Sequence, residues 1–461
     1  MNPRRRAWLQ ALSASALALP NRWVQGKAND SDDVVSPQRA LRFPRDHGAH
    51  LGAAIEWWYA TGWLDRGGGD LLGFQLTFFR SRVDLLGPAP AMAALARDAS
   101  QSASSNGARI ALPNLTLTAP HTAVPDTTLH PPQAGRLVPR QLLFGHAALT
   151  ELRTGRHRHA QRLTRWSGQA SGSGAQAALH DTDLRLGAWR LSRSQPGAAS
   201  RYLARLAAPE AGFTLDLQLD ATQPVLLQGA AGYSRKGPAG ATAAAPLPQA
   251  SHYYTQPQMA VRAQLTLQGR TEALSGRAWL DHEWSDHLLP PQAVGWDWIG
   301  INLSDGGALT AFVLRAADGR AVWAGGSHRA GPDAGLGAGA WASAGAGSGA
   351  GSSPASGQRR ADELAALPAP RNFASHEVAF TPLRTWRSPS SGAHYPVRWR
   401  VATPVGTFEL EALLDAQELD SRASTGAIYW EGLAELRDGA GRRVGLGYLE
   451  MTGRAAPLRL G

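Results

Sequence analysis

The chain contains 461 residues, of which 46 are Lys or Arg, 36 are Asp or Glu and none is Cys, and its formal charge is +10. The absence of cysteine excludes a disulfide framework, thiolate zinc sites, iron–sulfur ligation and a lipid anchor on cysteine. With 43% hydrophobic and 18% charged residues, the chain can bury a core, and its length suggests two or three domains.

The positive charge does not indicate nucleic-acid binding. Residues 1–28 hold five of the cations and no acid, and no later stretch places arginines among stacking aromatics. We therefore expect a mildly basic, solvated surface and no nucleic-acid partner.

Residues 1–28 are predicted to be an export signal. Arg4 and Arg5 precede an apolar run from Ala11 to Leu19. A charged region followed by a short apolar region is typical of secretory signals, and the arginine pair suggests the twin-arginine route. The run is too short to cross a bilayer core of about 30 Å as a permanent helix; the alternative is a basic N-terminal helix. We expect a periplasmic protein whose partners include the export machinery and a membrane-associated transporter.

Most of the remaining sequence predicts β-strands. Apolar and polar residues alternate with period two at 74–78, 213–219, 261–267 and 407–413, which is typical of antiparallel strands with one buried face. Glycine-rich or Asp-Gly turns at 65–69, 304–307 and 438–439 separate such runs. The pattern predicts an all-β fold.

A short internal repeat predicts two related domains. The segment from Trp57 to Leu64, a glycine-rich turn and the segment ending at Arg80 predict one hairpin. The segment from Trp296 to Leu303, a similar turn and the segment ending at Arg315 predict a second. We expect domains at 40–245 and 250–461, divided at the Gly/Ala/Pro-rich stretch 237–250. Residues 88–107 and 325–360 are Ala/Ser- or Gly-rich, and the latter predicts a flexible insertion.

The densest group of titratable and aromatic residues is WLDHEWSDH at 279–287, followed by GWDW at 295–298. Tryptophan rings around an acid exclude water and so raise the pKa of its carboxyl group by desolvation. A general acid requires such a carboxyl group, which keeps its proton. On a strand, Asp281 and Glu283 would share one face, and His282 and Trp284 the other. The alternative is a strand end whose charges meet solvent.

Other motifs give weaker signals. His282 and His287 stand five residues apart, whereas a zinc-binding helix needs four, so we predict no metal. EWWY at 56–59 contains Glu56 beside Trp57 and Trp58, and places Glu56 either next to a cavity or in an ion pair. No nucleotide-binding loop and no Gly-x-Ser-x-Gly elbow occurs, so we predict no cofactor.

Nine motifs together resemble the carotenoid 1,2-hydratase-like, AttH-type lipocalin-like family. They run in order from about residue 40 to the C-terminus: FPRDHGAH at 43–50, EWWYATG at 56–62, FQLTFFR at 74–80, GHAALT at 145–150, GYSRKG at 232–237, WLDHEW at 279–284, GWDW at 295–298, YWEG at 429–432 and GYLEMTG at 447–453. The resemblance implies two lipocalin-like antiparallel β-barrels packed together, with an apolar pocket between or within them.

The resemblance also suggests cofactor-free hydration of an alkene in an apolar small-molecule ligand. In this hypothesis Asp281, kept protonated by desolvation, donates its proton, and tryptophan faces stabilise the cation. His252, Tyr254 or His282 would position the water, with Glu283 as a further catalytic candidate. The candidate ligand-binding residues are Glu56, Trp57, Trp58, Trp279, Trp284, Trp296 and Trp298.

Two other functions remain open from the sequence. Lipocalin-type barrels often hold apolar ligands without transforming them, so a periplasmic carrier is the first alternative. Hydrolysis of an ester by an acid–base pair such as Asp281 and His282 is the second.

Overall fold

The structure is a computed structural model that describes residues 33–82, 141–168, 174–194, 200–238, 249–332 and 367–458. The predicted export signal at 1–28, the segment 88–107 and the part of the predicted insertion beyond residue 332 lie outside the described residues. The described residues form 23 strands and no α-helix, which confirms the all-β prediction. Single 3₁₀ turns lie at Arg45–His47, Pro209–Ala211 and Ser375–Glu377. No helix in these ranges has the length and apolar character to cross a membrane.

The first sheet is antiparallel and contains 13 strands. Its strands are β1 Ile55–Asp65, β2 Leu71–Arg82, β3 Gln141–Glu151, β4 Arg156–Trp166, β5 Ala175–Ala177, β6 Asp183–Leu186, β7 Trp189–Arg193, β8 Arg201–Ala208, β9 Phe213–Asp220, β10 Leu226–Leu227, β11 Tyr233–Arg235, β12 Ala250–Leu267 and β13 Arg270–Ser285. Their order is β4-β3-β2-β1-β13-β12-β9-β8-β7-β6-β5, with β10 and β11 also paired to β12. The edge strands β4 and β5 contact each other, so the sheet curls into a nearly closed barrel.

The second sheet is also antiparallel and contains ten strands. Its strands are β14 Gly295–Leu303, β15 Ala308–Arg315, β16 Ala321–Arg329, β17 Arg371–Phe373, β18 Ala379–Arg387, β19 His394–Thr403, β20 Gly406–Ala412, β21 Glu418–Ser421, β22 Ala427–Arg437 and β23 Arg443–Met451. Their order is β17-β16-β15-β14-β23-β22-β20-β19-β18, with β21 paired to β22. The two sheets form the two packed lipocalin-like barrels.

The two predicted hairpins occupy matching places in the two sheets. β1 lies between β2 and β13, and β14 lies between β15 and β23. Trp57 pairs with Phe79 in the first hairpin, and Trp296 pairs with Leu314 in the second. The predicted repeat is therefore a repeat of sheet position as well as of sequence.

The predicted division at 245–250 differs from the sheet boundary. β12 and β13 belong to the first sheet, because β13 pairs with β1 on one side and with β12 on the other. The change from one sheet to the other falls between Ser285 and Gly295, and the Gly/Ala/Pro-rich stretch connects two strands of the same sheet.

The predicted insertion also starts too early. Gly325 and Gly326 lie within β16, where a side chain would collide with the Phe312 ring or with the Thr310 carbonyl. Glycine is required here by close packing rather than by flexibility.

Each barrel has its own core. In the first, Trp58, Phe74 and Trp189 are among the buried residues, and in the second Trp399 and Trp430 fill the same role. Because side chains alternate across a strand, the other face of each sheet points away from these cores. Those outer faces are also buried around β1, β2, β13, β22 and β23, since the two barrels pack against each other there.

Candidate functional site

A cavity of about 830 Å³ lies between the two barrels. One wall comes from β1, β2, β3, β12 and β13 of the first sheet, and the other comes from β14, β15, β22 and β23 of the second. Both walls are the sheet faces turned away from the barrel cores. Residues of both barrels line this inter-barrel cavity, whereas the interior of each barrel is filled by its own core.

The strand period decides which part of WLDHEW reaches the cavity. Asp281 and Glu283 line the cavity, whereas His282 and Trp284 lie on the opposite face of β13. This is the alternation that the sequence predicts. Trp279, two residues before Asp281, lies on the same face of β13, and its indole nitrogen donates a hydrogen bond to the Asp281 carboxyl group.

Asp281 is a buried carboxyl group without an ion-pair partner among the described residues. Its exposed fraction is 3%. Three groups donate to it: Thr255 Oγ1 to Oδ1 at 2.6 Å, Trp279 Nε1 to Oδ1 at 2.9 Å and the Tyr253 hydroxyl to Oδ2 at 2.9 Å. Burial raises the pKa of Asp281 to about 8, although these three hydrogen bonds act in the opposite direction. At neutral pH the carboxyl group therefore keeps its proton.

Glu283 is in a different electrostatic state. Its carboxylate lies 3.0 Å from the ammonium group of Lys236, which also sits over the Trp57 ring at 5.3 Å. The two acids on this face of β13 are thus distinct, since Asp281 is neutral and Glu283 is paired with a cation.

The cavity walls are largely aromatic. The predicted residues Trp57, Trp296 and Trp298 line it, and Trp298 Nε1 donates to the Tyr253 hydroxyl at 3.2 Å. Six further aromatic residues of the lining were not predicted from the sequence, namely Tyr59, Phe79, Phe144, Tyr253, Phe312 and Tyr429. They follow from the same alternation once the cavity face is known.

The remaining predicted residues lie on the core side of the first sheet. Glu56 accepts hydrogen bonds from Arg80 Nε at 2.9 Å and contacts His50 Nδ1 at 2.7 Å and His282 Nε2 at 2.9 Å. The Tyr254 hydroxyl contacts His282 Nδ1 at 3.1 Å and His47 Nδ1 at 2.7 Å. Arg80 reaches the cavity lining, whereas Glu56, Tyr254 and the three histidines do not.

Trp58, Trp284 and His252 belong to the same buried region. Trp58 stacks on His282 with ring centroids 4.5 Å apart, and Trp284 stacks on His50 at 3.6 Å. His252 lies beside Trp284 at 5.4 Å. The expectation that His252, Tyr254 or His282 positions a water molecule beside Asp281 does not fit this placement, because the backbone of the sheet separates the two faces.

His50, Glu56 and His282 could offer three ligand atoms to a metal ion, since these atoms lie within 4.8 Å of one another. Burial would raise the pKa of Glu56, but His50 and Arg80 hold it well below its usual value. The Arg80 guanidinium already neutralises the carboxylate, and a divalent cation beside it would be repelled. The chemistry of this donor set fits a hydrogen-bonded structural network, in which each ring nitrogen facing Glu56 donates to it.

The second sheet contributes a pair of acids that were not among the predicted site residues. Glu431 on β22 and Glu450 on β23 are directly opposite each other in the sheet, and both line the cavity. They fall in YWEG and GYLEMTG, two motifs of the resemblance. Extending the hairpin repeat by one strand would have identified Glu450, because Trp298 pairs with Glu450 as Tyr59 pairs with Asp281.

A hydroxyl–imidazole contact lies at another part of the cavity. His146 Nε2 lies 2.9 Å from Ser424 Oγ, and His146 Nδ1 lies 2.7 Å from the Tyr429 hydroxyl. Burial lowers the pKa of His146 to about 3, so the ring is neutral. His146 lies in the GHAALT motif, but its partners come from the second sheet and could not be identified from that motif.

A sequence model of the AttH-like family matches residues 34–106, 116–335 and 356–454. The crystal structure of a protein described as AttH from Nitrosomonas europaea is similar over 91% of this chain and 99% of that one, with 35% identity and a TM-score of 0.65. Kievitone hydratase from Nectria haematococca is similar over 90% of this chain and 93% of its own, with 13% identity and a TM-score of 0.54, which shows a shared fold. A search of curated proteins gave no significant match.

Proposed function

The chain belongs to the AttH-like family, and from this premise we propose that it adds water to a carbon–carbon double bond of an apolar ligand held in the inter-barrel cavity. Asp281 is the proton donor. The observation that carries the proposal is the neutral, buried carboxyl group of Asp281, which has no cation beside it among the described residues and faces a cavity with aromatic walls.

Protonation of an alkene requires an acid that is neutral where the alkene binds. Asp281 meets this requirement, because desolvation favours the uncharged carboxyl group. Its three hydrogen bonds hold it in one orientation and also stabilise the carboxylate that remains after proton transfer. Glu283 is less suited to this role, because its carboxyl group forms an ion pair with Lys236.

The reaction begins with transfer of the Asp281 proton to the less substituted alkene carbon, so that one O–H bond breaks and one C–H bond forms. The more substituted carbon becomes a tertiary cation. The ring faces of Trp57, Trp296 and Trp298 line the cavity, and each cation–π contact is worth about 0.5–2 kcal/mol. Water then forms a C–O bond to the cation and one of its O–H bonds breaks, which gives a tertiary alcohol. The released proton returns to the Asp281 carboxylate by the end of the cycle and restores the acid.

The fold comparison agrees with hydration chemistry. Kievitone hydratase, whose name identifies it as a hydratase, shares the two-barrel fold at low sequence identity. We extend the proposal to the cell: the N-terminal segment directs export to the periplasm, where the protein meets its ligand.

The first test is to incubate the purified protein with squalene, a farnesyl ester and a nitrophenyl ester, and to analyse bound and released species by mass spectrometry. We expect the alkene to gain the mass of one water molecule. Asp281→Asn should reduce hydration by about 10²-fold or more, the range of general acid catalysis, and leave ligand binding intact. Asp216→Asn, at an exposed ion pair, is the matched control. Near-normal hydration by Asp281→Asn would refute the assignment, and recovery of unchanged ligand would indicate a carrier.

Ester hydrolysis is the second candidate, because Ser424 Oγ lies 2.9 Å from His146 Nε2 at the cavity. Two features favour hydration over it. Ser424 also donates to Gln161 Oε1 at 2.6 Å, and the lowered pKa of His146 makes the ring a weak base. Cleavage of the nitrophenyl ester that disappears in Ser424→Ala would support the hydrolase.

A further inference from the structure

The second barrel contains a carboxyl group in the position that corresponds to Asp281. In the repeated hairpins Tyr59 corresponds to Trp298, and these residues pair with Asp281 and Glu450 respectively. Asp281 and Glu450 therefore occupy equivalent positions on opposite walls of the cavity.

The neighbouring strand makes the two positions chemically different. In the first barrel, Thr255 pairs with Asp281 and donates a hydrogen bond to it. In the second barrel, Glu431 occupies the corresponding position and pairs with Glu450. Residues directly opposite in a sheet have Cβ atoms about 4.5–5.5 Å apart, so two carboxyl groups face each other where the first barrel has one.

Two carboxylates this close cannot both be ionised away from water, and one proton shared between them removes the repulsion. Burial raises the pKa of Glu450 to about 7, and burial together with Glu450 raises the pKa of Glu431 well above its usual value. Neither acid forms an ion pair within the described part of the chain. The groups that face the pair are Tyr59 on β1, Glu283 on β13, Trp296 on β14, Tyr429 on β22 and Tyr448 on β23.

One oxygen of the pair lacks a partner. Glu431 is 2% exposed, and its Oε1 atom has no hydrogen bond in the described structure. The Tyr59 hydroxyl lies beside Glu431 and interacts with its carboxyl group, but the contact falls short of full hydrogen-bond geometry, so both atoms can still bind a further group. Burial of a polar atom without a full hydrogen bond is unfavourable, so these two atoms at the cavity wall are suited to bind a polar group of a ligand.

We propose that Glu431 and Glu450 share one proton and form a second acid–base site of the cavity, which binds the water molecule that adds to the substrate and then the hydroxyl group of the product. The identity of the bound hydroxyl rests on the proposed hydration; the shared proton does not. The pair accepts the proton that water loses when its oxygen bonds to the cation. It then holds two protons and Asp281 none, and Tyr59, opposite Asp281 on β1 and beside Glu431, lies between the two sites for the return of one proton.

The shared proton can be measured without a substrate. In protein labelled with ¹³C at the glutamate side-chain carboxyl, we expect a glutamate that titrates near neutral pH. Either Glu431→Gln or Glu450→Gln should move the midpoint of this titration to lower pH, because the remaining acid is still buried but no longer faces a second carboxyl group. Glu435→Gln, at an ion-paired glutamate on the same strand, should preserve it. An unchanged midpoint in both single variants would overturn the shared proton; the double variant, which has no charge to bury, serves as the control for folding.

The hydroxyl site can be tested by binding alone. Isophytol, a tertiary alcohol, and phytene, an alkene without the hydroxyl group, are compared by quenching of tryptophan fluorescence. The wild type should prefer isophytol, and Glu431→Gln and Glu450→Gln should each reduce this preference about tenfold, the value of one hydrogen bond to a charged group. An unchanged preference in both variants would refute the site. Absence of hydration in the wild type would instead refute the proposed function and leave these two readouts unaffected.

Discussion

At the scale of single residues, the same side chain takes opposite roles according to its partners. Asp281 and Asp297 are both buried acids in tryptophan-rich motifs. Asp297 lies 2.8 Å from the guanidinium groups of both Arg315 and Arg454, whereas Asp281 has only neutral donors. Two cations stabilise a carboxylate, and neutral donors in a desolvated site do not fully replace water. Burial and cation distance therefore distinguish the candidate acid from the structural one.

The raised pKa of Asp281 has a consequence for stability. The pKa is about 8 in the folded protein against a usual value of 3.8. Between these values the folded state holds a proton that the unfolded state has lost, so this residue lowers the free energy of unfolding as pH rises. This decline in the free energy of unfolding is up to about 1.4 kcal/mol per pH unit, and Asp281→Asn should remove it. Urea unfolding at several pH values measures it, and parallel pH profiles for the variant and the wild type would contradict the neutral carboxyl group.

At the scale of strands, glycine allows the aromatic wall to form. Gly300 lies on β14 two residues after Trp298, on the same face. A Cβ atom there would lie 2.3 Å from Trp298 Cη2 and 2.9 Å from Trp279 Cε2. Both rings therefore rest on bare backbone, and Trp279 in turn donates to Asp281. The strand positions the acid through the packing of these two rings.

Gly300→Ala should disturb this arrangement. The added methyl group forces the rings to move, and overpacking of this kind costs about 1–3 kcal/mol of unfolding free energy. We expect weaker ligand binding as well, because the displaced Trp298 belongs to the cavity wall. The matched control is Gly439→Ala, where a Cβ atom would meet no other atom within 4 Å. Equal stability and equal binding of the two variants would show that the ring contacts do not hold the site.

At the scale of the whole molecule, the site exists only where the two barrels meet. The acid Asp281 comes from the first sheet and the Glu431–Glu450 pair from the second. The barrel interiors are occupied by the two cores. Packing of the outer sheet faces therefore encloses the cavity and removes polar residues such as Thr77 from water.

A shared cavity predicts one ligand site per chain. Titration with the fluorescent polyene cis-parinaric acid should saturate at one molecule per chain. Trp57→Ala on the first wall and Trp296→Ala on the second should each weaken that site by roughly tenfold, the loss of a large aromatic contact. Leu383→Ala, at an exposed position, should leave the affinity unchanged. Saturation at two molecules, or sensitivity to only one of the two tryptophans, would contradict a cavity formed by both barrels.

The sequence by itself determined the local facts. Period-two alternation gave the strands, placed Asp281 and Glu283 on the face opposite His282 and Trp284, and revealed the repeated hairpins, because alternation depends only on neighbours along the chain. The motifs also identified the family. These features are present in the order of residues before any strand pairs with another.

The tertiary structure alone decided which face of each sheet lines the cavity. Tyr59 meets Asp281, and Trp298 meets Glu450, through pairings between distant parts of the chain. A strand pattern does not state what covers each face, so His252, Tyr254 and His282 were predicted beside the acid although they lie behind it. The sheet boundary after Ser285 and the facing of Glu431 and Glu450 likewise arise from long-range register, which is fixed only when the sheets close and pack.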